Sequence, residues 1–273
     1  MGRQRLVLVN FALASLAALL FVMGCVRLSA AATCGLVTFK APCPWPAYRS
    51  GGIDYSLSAD KSSFFVYLPP NYDGREPFGL IVYISSVDRS CDLPVGWEKV
   101  LEARKLIFVS PQGAGNSEDS RKREGLAVMA AQQMMRHYSI DSGRVYAAGL
   151  SGGGRIASCL GFHQSDVFKG TIQSCGTDFY RDVPMHYAKS DLDSLGKHYG
   201  LCLCTFQEIA AAKANTRFAL ITGSRDFRQG NILDIYYNGY AAENYRAKLF
   251  DVPGMEHADC SAAILEQALD FIR

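Results

Sequence analysis

Ser151 stands in the run Val145-Tyr146-Ala147-Ala148-Gly149-Leu150-Ser151-Gly152-Gly153-Gly154-Arg155-Ile156-Ala157. A β-branched and aromatic stretch meets small residues there and then gives way to a helix-forming segment. A serine hydroxyl is a poor nucleophile until a base sits beside it, so the question is what its setting offers. A sharp strand-to-helix turn lifts the hydroxyl clear of the chain, and its crowded backbone admits only small residues two places before and two places after the serine. Gly149 and Gly153 meet that demand, and Gly152 supplies the backbone N–H that would face a developing oxyanion. Two other readings fit a glycine-rich turn. The serine could cap the helix through Gly154, or the glycines could cradle a phosphate, but no lysine follows in the P-loop pattern.

A nucleophile of this kind needs an acid and then a histidine further along the chain. Arg217-Phe218-Ala219-Leu220-Ile221-Thr222-Gly223-Ser224-Arg225-Asp226 reads as a buried strand whose glycine turn delivers Asp226. The run from Ala247 to His257 is a second strand, followed by a Pro253-Gly254 turn and a loop carrying His257. Both residues are thereby placed beyond carboxyl ends of strands, where sites form in open parallel sheets. Asp178 and Asp234 are rival acids. The former follows a strand ending near Cys175, and the latter lies on a predicted helix. His137 and His163 close predicted helices, where they complement the terminal dipole. His186 and His198 fall in a polar insertion and read as surface residues.

These segments resemble an α/β-hydrolase-fold serine esterase of the secreted polyhydroxyalkanoate-depolymerase and feruloyl-esterase-like branch, over the chain from about residue 63 to its end. Besides the Ser151 turn, the resemblance rests on Tyr67-Leu68-Pro69-Pro70-Asn71-Tyr72-Asp73-Gly74, the approach from Ile140 to Tyr146, Thr222 to Asp226, and Pro253-Gly254-Met255-Glu256-His257. It implies an α/β fold with a doubly wound, mostly parallel sheet flanked by helices. It also implies Ser151 as nucleophile, His257 as base, Asp226 as the acid that orients it, and no metal or cofactor. Oxyanion donors would be the backbone N–H groups of Gly152 and of the Ser85-Ser86 loop. Relatives usually carry a His-Gly pair after the third strand, whereas this chain runs Ile84-Ser85-Ser86-Val87-Asp88-Arg89. Because the donor is a backbone N–H, the substitution need not abolish it. The expected substrate is a small-molecule or polymeric ester. A serine peptidase of the prolyl-oligopeptidase type and a catalytically silent binding protein of the same fold are the alternatives.

The elements that must position these residues follow from hydrophobic periodicity. An opening hairpin is predicted from 53–57 and 64–68, then strands at 80–84, 106–109, 145–148, 170–174, 218–222 and 248–252. Helices are predicted at 96–104, 124–138, 153–162, 205–214, 232–245 and 261–272. Alternating strands and helices mean a mostly parallel, doubly wound sheet. Met129, Met134 and Met135 read as gap-filling core residues. The segment 33–52, rich in Pro, Gly and Cys, reads as an arm stapled to the domain. Residues 111–116 are placed to shape an acyl pocket, and the excursion 179–204, with Tyr180, Tyr187 and Tyr199, to line an open cleft.

The first 32 residues read as a signal peptide: a positive start at Arg3 and Arg5, an apolar stretch from Leu6 to Met23, and a small-residue cleavage site at Ala30-Ala31-Ala32. Val22-Met23-Gly24-Cys25 offers a lipoprotein-type alternative ending at Gly24, with a lipid anchor on Cys25, and the apolar length also approaches that of a membrane span. The protein is therefore expected outside the cytoplasm, periplasmic or extracellular, as one hydrolase domain over 33–273. The chain's net charge is +2. Arg3, Arg5 and Arg27 lie in the leader with no acid, so the remainder holds 25 basic against 26 acidic residues. No basic face for nucleic acid is indicated. Of nine cysteines, eight remain without Cys25, an even number that suggests disulfides in an exported chain. Cys159 and Cys175 are the best placed to stay buried thiols. Zinc on His198, Cys202 and Cys204 is the weaker reading, because no second Cys-x-x-Cys pair completes a metal set.

Overall fold

A computed structural model describes residues 33–39, 49–50, 53–54, 57–87, 93–188 and 202–273. The leader, Cys25, Cys43, Cys91, His198 and Tyr199 lie outside them. The strands are β1 (Thr33–Val37), β2 (Arg49–Ser50), β3 (Ile53–Asp54), β4 (Phe64–Leu68), β5 (Phe78–Ile84), β6 (Leu106–Pro111), β7 (Ile140–Leu150), β8 (Gly170–Ser174), β9 (Arg217–Arg225) and β10 (Ala247–Glu256). The helices are α1 (Trp97–Arg104), α2 (Ser120–His137), α3 (Gly152–His163), α4 (Phe206–Asn215), α5 (Gln229–Ile235) and α6 (Ala262–Ile272), with a π-helical turn over Tyr236–Ala241.

Eight strands form one sheet in the order β1-β4-β6-β5-β7-β8-β9-β10. From β6 to β10 every pairing is parallel, while β4 runs antiparallel to both β1 and β6. The doubly wound, mostly parallel sheet expected from the alternation of elements is thus present. Its central strands are buried on both faces, as the unbroken burial of β5 shows, and helices cover them. Period-two alternation then sorts the side chains. Leu80, Val82 and Ile84 join Val145 and Ala147 in a core with α2 and α3, while Ile81 and Tyr83 join Tyr146 and Ala148 in a core with α1 and α6. A third cluster, around Phe162, Phe179, Phe218 and Tyr240, fills the space between α3, α5 and β9.

Three expectations need correction. The predicted opening hairpin does not form: β3 pairs with β2, and β4 pairs with β1 and β6. Strand β1, read as part of an arm, caps the edge of the sheet. Cys159 is not a free thiol, because it is bonded to Cys202 across a Cα–Cα distance of 5.2 Å. With a sequence separation of 43, this crosslink constrains the unfolded chain by about 4 kcal/mol in the chain-entropy picture. The same pairing removes Cys202 from the weighed zinc set.

The sheet also fixes where a site belongs. Strand β6 lies on one side of β5 and β7 on the other, so the chain reverses its direction of winding between β5 and β7. In open parallel sheets such a reversal marks a crevice beyond the carboxyl ends of the two strands, and here it puts Ser85 and Ser86, after β5, beside Ser151, after β7.

Candidate active site

Ser151 occupies the one-residue junction between β7 and α3, at φ 57° and ψ −120°. This conformation costs a non-glycine residue on the order of 1–3 kcal/mol and persists only where the surroundings fix it. They do so here. Ser151 N–H donates to the Ser174 carbonyl at 2.8 Å and its own carbonyl accepts from Arg155 N–H at 3.1 Å. A Cβ on Gly149 would lie 2.5 Å from the Gly153 carbonyl carbon, and one on Gly153 would collide with the Ile84 carbonyl oxygen. Both glycines are therefore steric requirements of the turn. Helix α3 starts at Gly152, so its free N–H groups and the positive end of its dipole face the crevice.

Asp226 follows β9 directly, in a turn where its N–H donates to the Gly223 carbonyl at 2.9 Å. Its side chain is fully buried. Oδ2 accepts from Thr222 Oγ1 at 2.7 Å, and Oδ1 accepts from Arg228 N–H at 2.9 Å. His257 Nδ1 lies 2.7 Å from Oδ1. With an ionised carboxylate, which only accepts, that contact places the proton on Nδ1 and leaves Nε2 as the basic nitrogen.

The His257 loop is held from several sides. Tyr83 OH donates to Asp259 at 2.8 Å, the Trp97 indole N–H donates to the Cys260 carbonyl at 2.9 Å, and Gly254 N–H donates to Ser224 Oγ at 2.8 Å. The Phe227 ring stacks on the imidazole with centroids 4.1 Å apart. Cys175 connects this loop to the elbow. Its thiol points at the Ala258 and Glu256 carbonyls, 3.4 and 3.6 Å away, while the adjoining Gly176 packs against the Ser151 backbone. Ligand-type atoms of Cys175, Asp226 and His257 all lie within 4.8 Å of one another. Burial, followed by the Asp226 charge, pushes the Cys175 thiol well up, so a metal there would have to compete for a protonated thiol and an existing His–Asp hydrogen bond.

The rival acids are occupied elsewhere. Asp178 accepts from Arg155 Nε at 2.8 Å. Burial pushes it up to about 6 against the pull of Arg155. Asp234 accepts the backbone N–H groups of His186, Tyr187 and Ala188 and shapes that loop. His163 is more than a helix terminator, since it contacts Glu124 at 2.7 Å and the Leu203 carbonyl at 3.2 Å. Burial opposes its charge, but hydrogen bonds with Cys204 and Glu124 outweigh this and raise it to about 11. Tyr180, read as a cleft residue, donates to Glu243 at 2.7 Å and packs at the edge of the aromatic core.

The second wall of the crevice is braced by a residue that periodicity did not single out. Arg123, buried on α2, donates from Nε to the Ala114 carbonyl at 2.7 Å and from Nη2 to the Ser85 carbonyl at 3.1 Å. Asn116 N–H donates to the Ser86 carbonyl at 3.1 Å. The loops after β5 and β6 are therefore locked together beside Ser151.

No protein-family model and no curated protein sequence matches the chain. Solved structures do. An S-formylglutathione hydrolase from Staphylococcus aureus superposes with a TM-score of 0.60 at 14% identity, over 89% of this chain and 99% of that one. The feruloyl esterase module from Clostridium thermocellum, solved with sinapinate, gives 0.60 at 14% identity, over 90% and 89%. A chain described as a dipeptidyl aminopeptidase IV from Bacteroides ovatus gives 0.57 at 14% identity, over 88% of this chain but 35% of its own length. At these identities the likeness establishes the architecture, the α/β-hydrolase fold.

Proposed function

We propose that the protein is an exported serine hydrolase that cleaves carboxylic esters through an acyl-enzyme. The observation that carries the reading is the hydrogen bond from His257 Nδ1 to a buried Asp226, formed at the same edge of the sheet as a serine in a strained elbow. This is the order and chemistry of a Ser-His-Asp relay. Ser151 Oγ bonds to the ester carbonyl carbon as His257 Nε2 takes its proton, and the carbonyl electron pair moves onto oxygen. Collapse breaks the bond to the alkoxy group, which leaves with the proton from His257. Water then repeats the sequence and frees the acid. Asp226 holds the imidazole and stabilises the imidazolium, and N–H groups of Gly152 and the Ser85-Ser86 loop receive the oxyanion.

Export is supported by the leader and by the Cys159–Cys202 disulfide, since such bonds persist in oxidising compartments. The mass of the mature N-terminus distinguishes release after Ala32 from lipidation at Cys25. Among the described residues no helix is long and apolar enough to cross a membrane. The likeness to a chain described as a dipeptidyl aminopeptidase keeps peptide cleavage as the second reading.

Turnover of p-nitrophenyl acetate by the parent and by Ser151→Ala tests the proposal. The variant should lose on the order of 10⁶-fold in kcat and all labelling by a fluorophosphonate, with its thermal unfolding unchanged. Retention of turnover within about tenfold, equivalent to a barrier change of under ~1.4 kcal/mol, overturns it. A parent that hydrolyses an amide in preference to the matching ester favours the peptidase, and a parent that is never labelled is the silent binding protein. Acetyl, feruloyl, aryl and hydroxyalkanoate esters then sort the substrate class.

A further inference from the structure

The oxyanion wall of the crevice carries Asn116, the last residue of the 111–116 loop that the sequence placed only as a pocket wall. Gly152, the residue after the elbow serine, has no Cβ, and the space where one would point is filled by the carboxamide of Asn116. Its Cγ is 2.8 Å and its Nδ2 3.1 Å from that point, with Oδ1 closer still. The Asn116 backbone meanwhile donates to Ser86. Asn116 therefore touches both places from which backbone oxyanion donors are expected, the start of α3 and the loop after β5.

The surroundings make this placement purposeful. Residues 113–116 have their position set by Arg123, whose guanidinium holds Ala114 and Ser85 together. Asn116 is an exposed residue and its carboxamide makes no hydrogen bond among the described residues, so its two N–H donors are free for a bound molecule. A half-turn about χ2 exchanges Oδ1 and Nδ2, because this terminal torsion is broad and two-fold. A Cβ at position 152 would evict the amide, so glycine there and asparagine at 116 form a matched pair.

We propose that Asn116 is a further catalytic residue, a side-chain oxyanion donor whose Nδ2–H hydrogen-bonds the substrate carbonyl oxygen as negative charge develops on it. In a chain whose β5 loop carries Ser85-Ser86 in place of the His-Gly pair, the amide adds a donor beside the backbone groups. Its contribution grows as the carbonyl oxygen becomes an alkoxide, so it lowers the barrier rather than tightening substrate binding.

The inference rests on the esterase reading, and Ser151→Ala is run alongside to keep the two apart. Asn116→Ala and the near-isosteric Asn116→Leu are assayed on p-nitrophenyl acetate, together with inhibition by phenylboronic acid, which forms a tetrahedral adduct on a serine. Both variants should lose about 10²-fold in kcat, the usual cost of one oxyanion donor. KM should stay within about threefold, and the boronate should weaken by the same factor as kcat/KM, because it mimics the transition state. If Ser151→Ala is inactive while both Asn116 variants keep kcat within about threefold, or lose activity only through KM, the oxyanion role is wrong and the esterase reading stands. If Ser151→Ala stays active, the esterase reading falls and takes the inference with it.

Discussion

Asp226 and Asp178 are buried carboxylates on the loops after the neighbouring strands β9 and β8, and their surroundings give them opposite work. Asp226 accepts from Thr222, Arg228 and His257. Three donors compensate its charge, and one of them is the His257 imidazole, which in the proposed mechanism needs a fixed anion. Asp178 has its charge met by Arg155, while its N–H donates to Ser158 Oγ and its carbonyl accepts from Tyr240 OH at 3.0 Å. It ties the β8 loop to α3 and to the aromatic core. Position beyond a strand end was common to both residues. What separates them is which donors the fold brings to each carboxylate.

The comparison breaks most visibly in kinetics. Asp226→Asn keeps the shape of the side chain but removes the anion and can present a donor to Nδ1, which favours the wrong tautomer. We expect kcat to fall by about 10⁴-fold. Asp178→Asn and Asp234→Asn should each change kcat far less, since neither carboxylate meets His257. Steady-state kinetics on the three variants decide this. Near-parental activity in Asp226→Asn with collapse of either rival would reverse the roles assigned to the acids.

Much of this arrangement was legible because it obeys local rules. The strands from β5 to β9 declare themselves by buried apolar runs, β10 by the short Leu249-Phe250-Asp251-Val252 run before a Pro-Gly turn, and the Ser151 turn by glycines that backbone crowding enforces. Asp226 and His257 stand out because each follows such a strand, and parallel strands put their carboxyl ends on one edge. The unread parts depend on contacts between segments distant in sequence. Strand β1 becomes a strand only by pairing with β4. Cys159 gives no sign that Cys202 will reach it across a segment of irregular composition. Arg123 falls just before the predicted helix 124–138 and looks like one more surface charge until the loops after β5 and β6 fold onto it, and Cys175 looks like an ordinary strand-end thiol until Gly176 and the His257 loop close around it.

A second break lies in stability. The Asp178 carboxyl is pushed from 3.8 up to about 6 in the folded protein, so the fold holds that proton more tightly than the unfolded chain does. Its stabilising contribution is full below about pH 3.8 and is lost as pH rises through about 6. The swing is on the order of 3 kcal/mol. Asp178→Asn carries no such proton. Orphaning Arg155 offsets its stability by an amount that does not vary over this range, because arginine stays charged. Denaturant unfolding at pH 4, 5, 6 and 7 should therefore show the variant gaining on the parent as pH rises. A difference that is flat with pH contradicts the assignment of the slope to Asp178.

The smallest expected effect sharpens what is special about the Asp226 side. His257 is held at Nδ1 by Asp226 and across its face by Phe227, with ring planes 30° apart. Phe227 is 63% exposed, so its contact with the imidazole lies on the solvent side of the ring pair. The π-face of an aromatic ring attracts a cation, by about 0.5–1 kcal/mol at exposed sites, and in the proposed mechanism the imidazole becomes one as it takes the serine proton. Stacking also keeps the ring from swinging off Asp226. Removing it should raise the barrier by about that amount, which lowers kcat by roughly 2–5-fold. Phe227→Ala should show this loss with KM little changed, Phe227→Tyr should restore the parental rate, and Phe227→Leu, apolar but without a π-face, should resemble the alanine variant. The rate of labelling by a fluorophosphonate should fall in parallel, since it reports the same attack by Ser151. Parental rates in both Phe227→Ala and Phe227→Leu would reduce Phe227 to a surface residue and leave the hydrogen bond to Asp226 to hold the imidazole.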